Sequence, residues 1–190
     1  QFTVNLQEKK TAVVDRLVSN AVARAKVNDE GAIRRTGAEL MAGHDTVTLD
    51  AALAAHVASW ARVWETFDVT IDGDEANQQG IRFCIFNLHQ TYHGEDPTLN
   101  VGAKGLTGEF YWGWTWWDTE PYCLPFYLFS NPQAARSLIA YRHNTLPQAL
   151  ERAKVLDCKG ACYPMGTIDG EESCGVWQHG NLEVHVSAAV

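Results

Sequence analysis

The stretch TLDAALAAHVASWARVWETF, residues 48–67, decides the fold class. Its apolar residues Leu49, Leu53, Val57, Trp60, Trp64 and Phe67 recur at three- and four-residue spacing, the period that returns side chains to one face of an α-helix. Thr48 stands where an N-cap belongs, with a hydroxyl that can accept from a first-turn N–H. The same period appears on either side. Residues 21–42 read as an amphipathic helical segment interrupted by Gly31 and Gly37. Asp72 and Glu75 offer a capping box for a helix with Ile81, Ile85, Leu88 and Tyr92 on one face. Residues 94–119 read as loop, with Gly102, Gly105, Gly108 and Gly113. Asn131-Pro132 joins a cap to a proline at the first helical position, ahead of a stripe of Ala135, Leu138 and Ile139. A further helix is expected from about Thr145 to Leu156, closing before Gly160, and a last one from near Asn181. The body is therefore mainly α, and helices of similar length alternating with loops suggest stacked helical hairpins.

Only the N-terminus departs from this pattern. Residues 2–6 alternate apolar and polar, and residues 12–18 are rich in β-branched types, so two short strands are expected around the polar Gln7-Glu8-Lys9-Lys10. Two strands alone are marginal in water, so these are expected to be the edge of a sheet lying mostly outside the chain. The other end carries an apolar helical run, Val184 to Val190, with no capping Gly, Asn or Pro after it. The expectation is a piece of a longer protein.

Composition excludes several function classes. The 190 residues are 46% hydrophobic and 20% charged, an ordinary globular balance for one sizeable core. Fifteen Lys plus Arg against twenty-three Asp plus Glu leave a net charge of -8 with no basic run, so a phosphate backbone would find little to bind, and no nucleic acid partner is expected. The least charged stretches are too short to span a bilayer, so no membrane is expected either. Five cysteines, Cys84, Cys123, Cys158, Cys162 and Cys174, without a secretory leader fit reduced thiols in the cytoplasm. The Cys158-x-x-x-Cys162 spacing falls in the zinc range, but no second tight pair follows, so small buried thiols are expected and no metal site.

Two segments could carry chemistry. In GEFYWGWTWWDTE, residues 108–120, four of the seven tryptophans fall within six residues, interleaved with glycine and ending in carboxylates. Flat aromatic faces beside acceptors suit a pyranose, whose axial hydrogens pack on a ring while its hydroxyls are fixed by a few polar groups. The alternative is an aromatic packing loop in which Asp118 and Glu120 cap a helix. In WQHGNLEVHV, residues 177–186, Glu183 is expected near a helix start among largely apolar neighbours. A carboxyl in an apolar wall holds its proton more tightly and can give it to a leaving oxygen. The alternative for Glu183 is ordinary complementation of the helix dipole.

At these segments the sequence resembles glycoside hydrolase family 65, which comprises phosphorylases of maltose, trehalose, kojibiose and nigerose and some hydrolases. The resemblance runs from about Asp68 to Val190. It rests on Lys104-Gly105-Leu106-Thr107-Gly108-Glu109, Trp117-Asp118-Thr119-Glu120, Leu124-Pro125-Phe126, Ala134-Ala135-Arg136, Tyr141-Arg142 with Thr145-Leu146, and Glu183-x-His185. It implies part of an (α/α)6 barrel preceded by a β-sandwich and linker helices. Residues 1–20 would then be the end of the sandwich, 21–47 linker, and 48–190 the first half of the barrel. It implies that Trp117 and Asp118 grip the non-reducing glucosyl unit, that Arg142 and Thr145 border that subsite, and that Glu183 is the single general acid of an inverting enzyme. Relatives often have His and Phe before the Trp-Asp pair, where this chain has Trp114 and Trp116. Many have Phe-Pro-Trp-Glu-Ser where it has Tyr163-Pro164-Met165-Gly166-Thr167. Those loops shape the acceptor side.

The expected function is cleavage of α-glucosidic disaccharides with inversion, by phosphorolysis giving a sugar 1-phosphate. No metal or organic cofactor is required, and inorganic phosphate is the co-substrate. An inverting hydrolase of the same family is the near alternative, and a non-catalytic sugar-binding helical domain the distant one. The expected partners are the disaccharide and the remainder of the polypeptide. The isolated chain is expected to be inactive, with apolar helix faces that invite association into a homo-oligomer.

Overall fold

The computed structural model describes residues 3–5, 8–22, 30–44, 47–106, 108 and 110–190. The described residues are mainly helical, as the periodicity requires. They divide into two compact units, residues 1–62 and 63–190. In the first, α1 (Glu30–Ala42) accommodates both Gly31 and Gly37, and the Ser19 hydroxyl donates to the Gly37 carbonyl at 3.1 Å. The part of the expected segment at 23–29 lies outside the described residues. Neither 3–5 nor 12–18 forms a strand, while the rest of the expected first strand, Phe2 and Leu6, lies outside the described residues. A β-branched run becomes a strand only when a neighbour takes up its N–H and C=O groups, and none of the described residues does so here.

Helix α2 (Leu49–Phe67) begins at the expected cap, the Ala51 N–H donating to Thr48 Oγ1 at 3.2 Å. Its stripe stays largely in water, with Leu49, Leu53 and Val57 exposed by 63, 56 and 58%. Helix α3 (Glu75–Thr91) is capped two residues later than expected. Asp74, not Asp72, accepts the Asn77 N–H at 3.0 Å. Gly73, at φ +80, turns the chain between the two aspartates, and residues 72 and 73 belong to that turn. Gln78 ties it down by accepting from Ile71 N at 2.7 Å and donating to Val69 O at 2.8 Å.

The core of the second unit gathers Tyr92, Val101, Tyr127, Ala134, Ala135 and Leu138, with Leu88, Leu124 and Phe126 packed against it. Ile85 and Tyr92 are buried as the face predicts. His89, which no pattern in the sequence singled out, is 2% exposed and stacked on Phe67 with ring centroids 4.3 Å apart. Burial, and then the neighbouring His93, push its imidazole below the usual range, so it packs as a neutral ring. The Tyr127 hydroxyl donates to Leu88 O at 2.8 Å and joins α4 (Leu124–Ser130) to the end of α3.

Helix α5 (Pro132–Asn144) starts at the expected Asn131 cap, which accepts the Ala134 N–H at 3.2 Å. Its buried face is Ala134, Ala135, Ser137, Leu138, Tyr141 and Arg142. Ile139 is 58% exposed, because residues 134, 138, 141 and 142 recur with the helical period and 139 falls off that line. Helix α6 (Leu146–Val155) follows after the single residue Thr145. The last expected helix is two: α7 (Trp177–Leu182) and α8 (His185–Ala189), interrupted at Glu183. Among the described residues no helix is long and apolar enough to cross a membrane.

Candidate active site

The tryptophan-rich loop ends in a wide turn, Thr119–Cys123, that feeds α4. Pro121 lies inside it and has no N–H to donate, and the Leu124 N–H reaches back five residues to Thr119 O instead of four. The turn fixes what precedes it. Trp117 is half-buried, with its ring 5.9 Å from that of Tyr122 and 5.0 Å from the imidazole of His185, edge to face. Asp118 is exposed and makes no capping hydrogen bond, which removes the helix-cap alternative for this residue.

Glu120 has a different task. Its carboxylate takes two parallel hydrogen bonds from Arg142, Nε at 2.7 Å and Nη2 at 3.0 Å. The guanidinium is 3% exposed and the carboxylate 9%. Arg142 Nη2 also donates to Trp116 O at 3.1 Å, so the cation on α5 holds the strand of backbone immediately before Trp117. Thr145 is buried behind it, its hydroxyl returned to Tyr141 O at 3.1 Å and Arg142 O at 3.2 Å. The Tyr163 hydroxyl donates to the same Arg142 carbonyl at 3.0 Å, and its backbone N–H donates to Ser187 Oγ on α8 at 2.9 Å.

Glu183 sits between α7 and α8, outside a helical turn, which differs from the helix start expected for it. Its neighbours are also different. His179 Nδ1 stands 3.7 Å from one carboxylate oxygen and His185 Nε2 3.9 Å from the other, where an apolar wall was expected. Gly180 and Asn181 are poor helix formers and break the short segment here. The side chain is 31% exposed.

The five residues named from the sequence thus fall into two sets. Trp117 and Glu183 both stand against His185, and Asp118 follows Trp117 in the chain. Arg142 and Thr145 are committed to hydrogen bonds that brace the Trp116 backbone and the last turn of α5. Glu120, Tyr163 and His185 were not singled out as site residues, although all three stood inside quoted stretches. A cavity of about 290 Å³ opens on the Glu120–Arg142 pair, lined also by Thr119, Leu138, Tyr163 and Val190. Trp117, Asp118 and Glu183 do not line it.

The carboxylates also act on Cys123. Burial, then Asp118 and Glu120, push its thiol up to about 11. The thiolate is the reactive form, so Cys123 is expected to resist alkylation at pH 8 while the exposed Cys84 and Cys158 react. Peptide mapping after a timed iodoacetamide pulse checks this; Cys123 labelled as fast as Cys84 would contradict the burial described here. Among the described residues no group of three or more His, Cys, Asp or Glu could hold a metal ion.

Comparison with known proteins places this geometry. The sequence model of the glycosyl hydrolase family 65 central catalytic domain matches residues 82–190. The chain is 43% identical over 136 residues to maltose phosphorylase of Bacillus subtilis, covering 71% of this chain and 18% of that protein. It is 46% identical over 127 residues to alpha,alpha-trehalose phosphorylase of Thermoanaerobacter brockii, covering 67% and 16%. Against a kojibiose phosphorylase of the same organism it is 32% identical over 201 residues, covering 100% and 26%. A solved structure, a candidate kojibiose phosphorylase from the human microbiome, superposes with a TM-score of 0.75 at 41% identity over 85% of this chain and 22% of that one. The chain therefore spans between 16 and 26% of the length of these curated relatives. Its mainly helical fold is part of the (α/α)6 barrel that the resemblance implied.

Proposed function

We propose, for a chain that belongs to glycosyl hydrolase family 65, that the polypeptide carrying it cleaves an α-glucosidic disaccharide by phosphorolysis with inversion. The relatives named above, phosphorylases of maltose, trehalose and kojibiose, support the phosphorolytic form of the reaction. The observation that carries it is the meeting of Trp117 and Glu183 on His185, with the exposed Asp118, which makes no capping hydrogen bond, next to Trp117 in the chain. A ring platform, an acceptor for sugar hydroxyls and a proton donor are then within one patch.

In this reading the glucosyl ring lies on Trp117 and its hydroxyls donate to Asp118. Glu183 gives its proton to the glycosidic oxygen as the bond from that oxygen to the anomeric carbon breaks. A phosphate oxygen forms the new bond from the opposite face, so the configuration inverts and the second sugar leaves with a free hydroxyl. Glu183 is left as a carboxylate and regains a proton before the next cycle; imidazole, a group able to carry protons, flanks it on both oxygens. The buried Arg142–Glu120 pair does not touch the sugar but fixes the backbone on which Trp117 stands. Inorganic phosphate is a substrate, and the chemistry calls for no metal or organic cofactor. A cytoplasmic site of action accords with five free thiols.

The test is turnover of maltose, kojibiose, trehalose and nigerose by the polypeptide, with and without inorganic phosphate. Sugar 1-phosphate formed only when phosphate is present is expected. Equal disaccharide consumption in both conditions would replace this reading with a hydrolase.

A further inference from the structure

Helices α7 and α8 are too short to hold themselves. They have six and five residues, and neither begins at a side-chain cap. Helices below about 12 residues are marginal in water, so tertiary contacts decide where this segment stands. Val186 on α8 is fully buried, and the next residue, Ser187, accepts the Tyr163 N–H on its Oγ at 2.9 Å. His185, which stands against both Trp117 and Glu183, is the residue before Val186.

Tyr163 is itself held at backbone and side chain. Pro164 follows it, fully buried, and a proline restricts the residue before it to extended backbone. The Tyr163 hydroxyl donates to Arg142 O at 3.0 Å, and its ring centre stands 5.9 Å from the Arg142 guanidinium carbon. Burial, against the opposing pull of Arg142, raises the phenol above its usual range, so the hydroxyl keeps the proton it donates. Arg142 cannot follow a wandering partner. Its guanidinium is locked to Glu120, and Nη2 holds the Trp116 carbonyl. One residue therefore governs both halves of the candidate site. Its side chain fixes the backbone before Trp117, and its carbonyl, through Tyr163 and Ser187, fixes the helix that starts at His185.

We propose that Tyr163 is a positioning residue for the general acid: the link from the Arg142 carbonyl through Tyr163 to Ser187 sets where α8, and with it the joint at Glu183, stands relative to Trp117. The inference rests on the phosphorolysis reading above and adds the residue that aims its acid. Proton transfer needs the carboxyl within hydrogen-bond reach of the glycosidic oxygen, and a displacement of about 1 Å can cost about a hundredfold in rate. Glu183 lies between two short helices, so its aim depends on what anchors them. Tyr163 acts on backbone and not on sugar, since its hydroxyl is spent on the Arg142 carbonyl. Lost aim costs the step in which the proton moves. Disaccharide binding at Trp117 and Asp118, and the attack of phosphate, do not need it.

Tyr163→Phe removes the hydroxyl and keeps the ring, and Ser187→Ala removes the other link and leaves Tyr163 intact. Both variants and the double variant of the polypeptide are compared with the unaltered protein on maltose, kojibiose and trehalose. They are also compared on α-glucosyl fluoride, whose fluoride leaves without taking a proton. With phosphate present, each single variant is expected to lower kcat for the preferred disaccharide about tenfold, with KM unchanged and fluoride release within about twofold of the unaltered protein. The two links are in series, so the double variant is expected to lose no more than either single one. Equal losses on disaccharide and fluoride would mean that the link serves the fold or the sugar grip, and losses that multiply would separate Tyr163 from Ser187. Either result overturns the proposal. Each single variant decides the matter if the other fails to fold. If the folded variants keep kcat on the disaccharide within about twofold while turnover still needs phosphate, the positioning role is wrong and the phosphorolysis stands. If the unaltered protein turns over none of the substrates, both fall.

Discussion

Replacing Glu183 with glutamine in the polypeptide that carries this chain is expected to lower disaccharide turnover about 10²- to 10⁴-fold, the usual contribution of a positioned general acid. The amide keeps the size of the side chain and both polar atoms but has no proton to release to an oxygen. KM for the disaccharide should move little, because Trp117 and Asp118 are untouched and the lost interaction is one made only as the bond breaks. Circular dichroism should be unchanged, since Glu183 stands between two short helices and makes no hydrogen bond shorter than its approaches to His179 and His185. A glucosyl donor whose leaving group needs no proton should retain a larger share of its rate. Near-normal turnover of the ordinary disaccharide by Glu183→Gln would move the acid elsewhere and leave position 183 a joint between helices.

The second large effect concerns stability. Arg142→Ala is expected to destabilise the fold by about 3–5 kcal/mol, the range found when one member of a buried ion pair is removed. Glu120 would be left 9% exposed with two empty acceptor positions, and the Trp116 carbonyl would lose its donor. Replacing both partners, Arg142→Met with Glu120→Leu, should recover much of that loss, because no unpaired charge then remains in a dry site. Denaturant unfolding of the two single variants and the double variant measures the coupling directly. A loss below about 1 kcal/mol in Arg142→Ala would mean that the pair behaves as a surface contact, contrary to its burial.

The helices were legible where a local rule fixes them. The caps at Thr48 and Asn131 formed as read, since a side-chain acceptor three residues before an N–H acts within one turn. Asp72 failed as a cap because Gly73 turned the chain first, and Asp74, two residues on, took the N–H instead. Ile139 failed as a core residue because three apolar positions in a short stripe do not define its angle on the helix. Glu183 was singled out by its motif, but its surroundings could not be read locally. Two of its neighbours, His179 and His185, were close in sequence, yet only the break between α7 and α8 aims both imidazoles at the carboxylate.

The sequence by itself determined a mainly helical chain and a tryptophan-rich loop ending in carboxylates, since each rests on spacing within a few residues; the family was legible through the resemblance of several motifs in order. Tertiary structure alone decided that Arg142 serves Glu120 and the Trp116 carbonyl, that Trp117 reaches Glu183 through His185, and that Tyr163 ties Arg142 to Ser187. Those contacts join residues 21 to 68 positions apart, and their partners are chosen by packing and by the cost of leaving a buried charge or a large ring unmatched. No local periodicity carries that information.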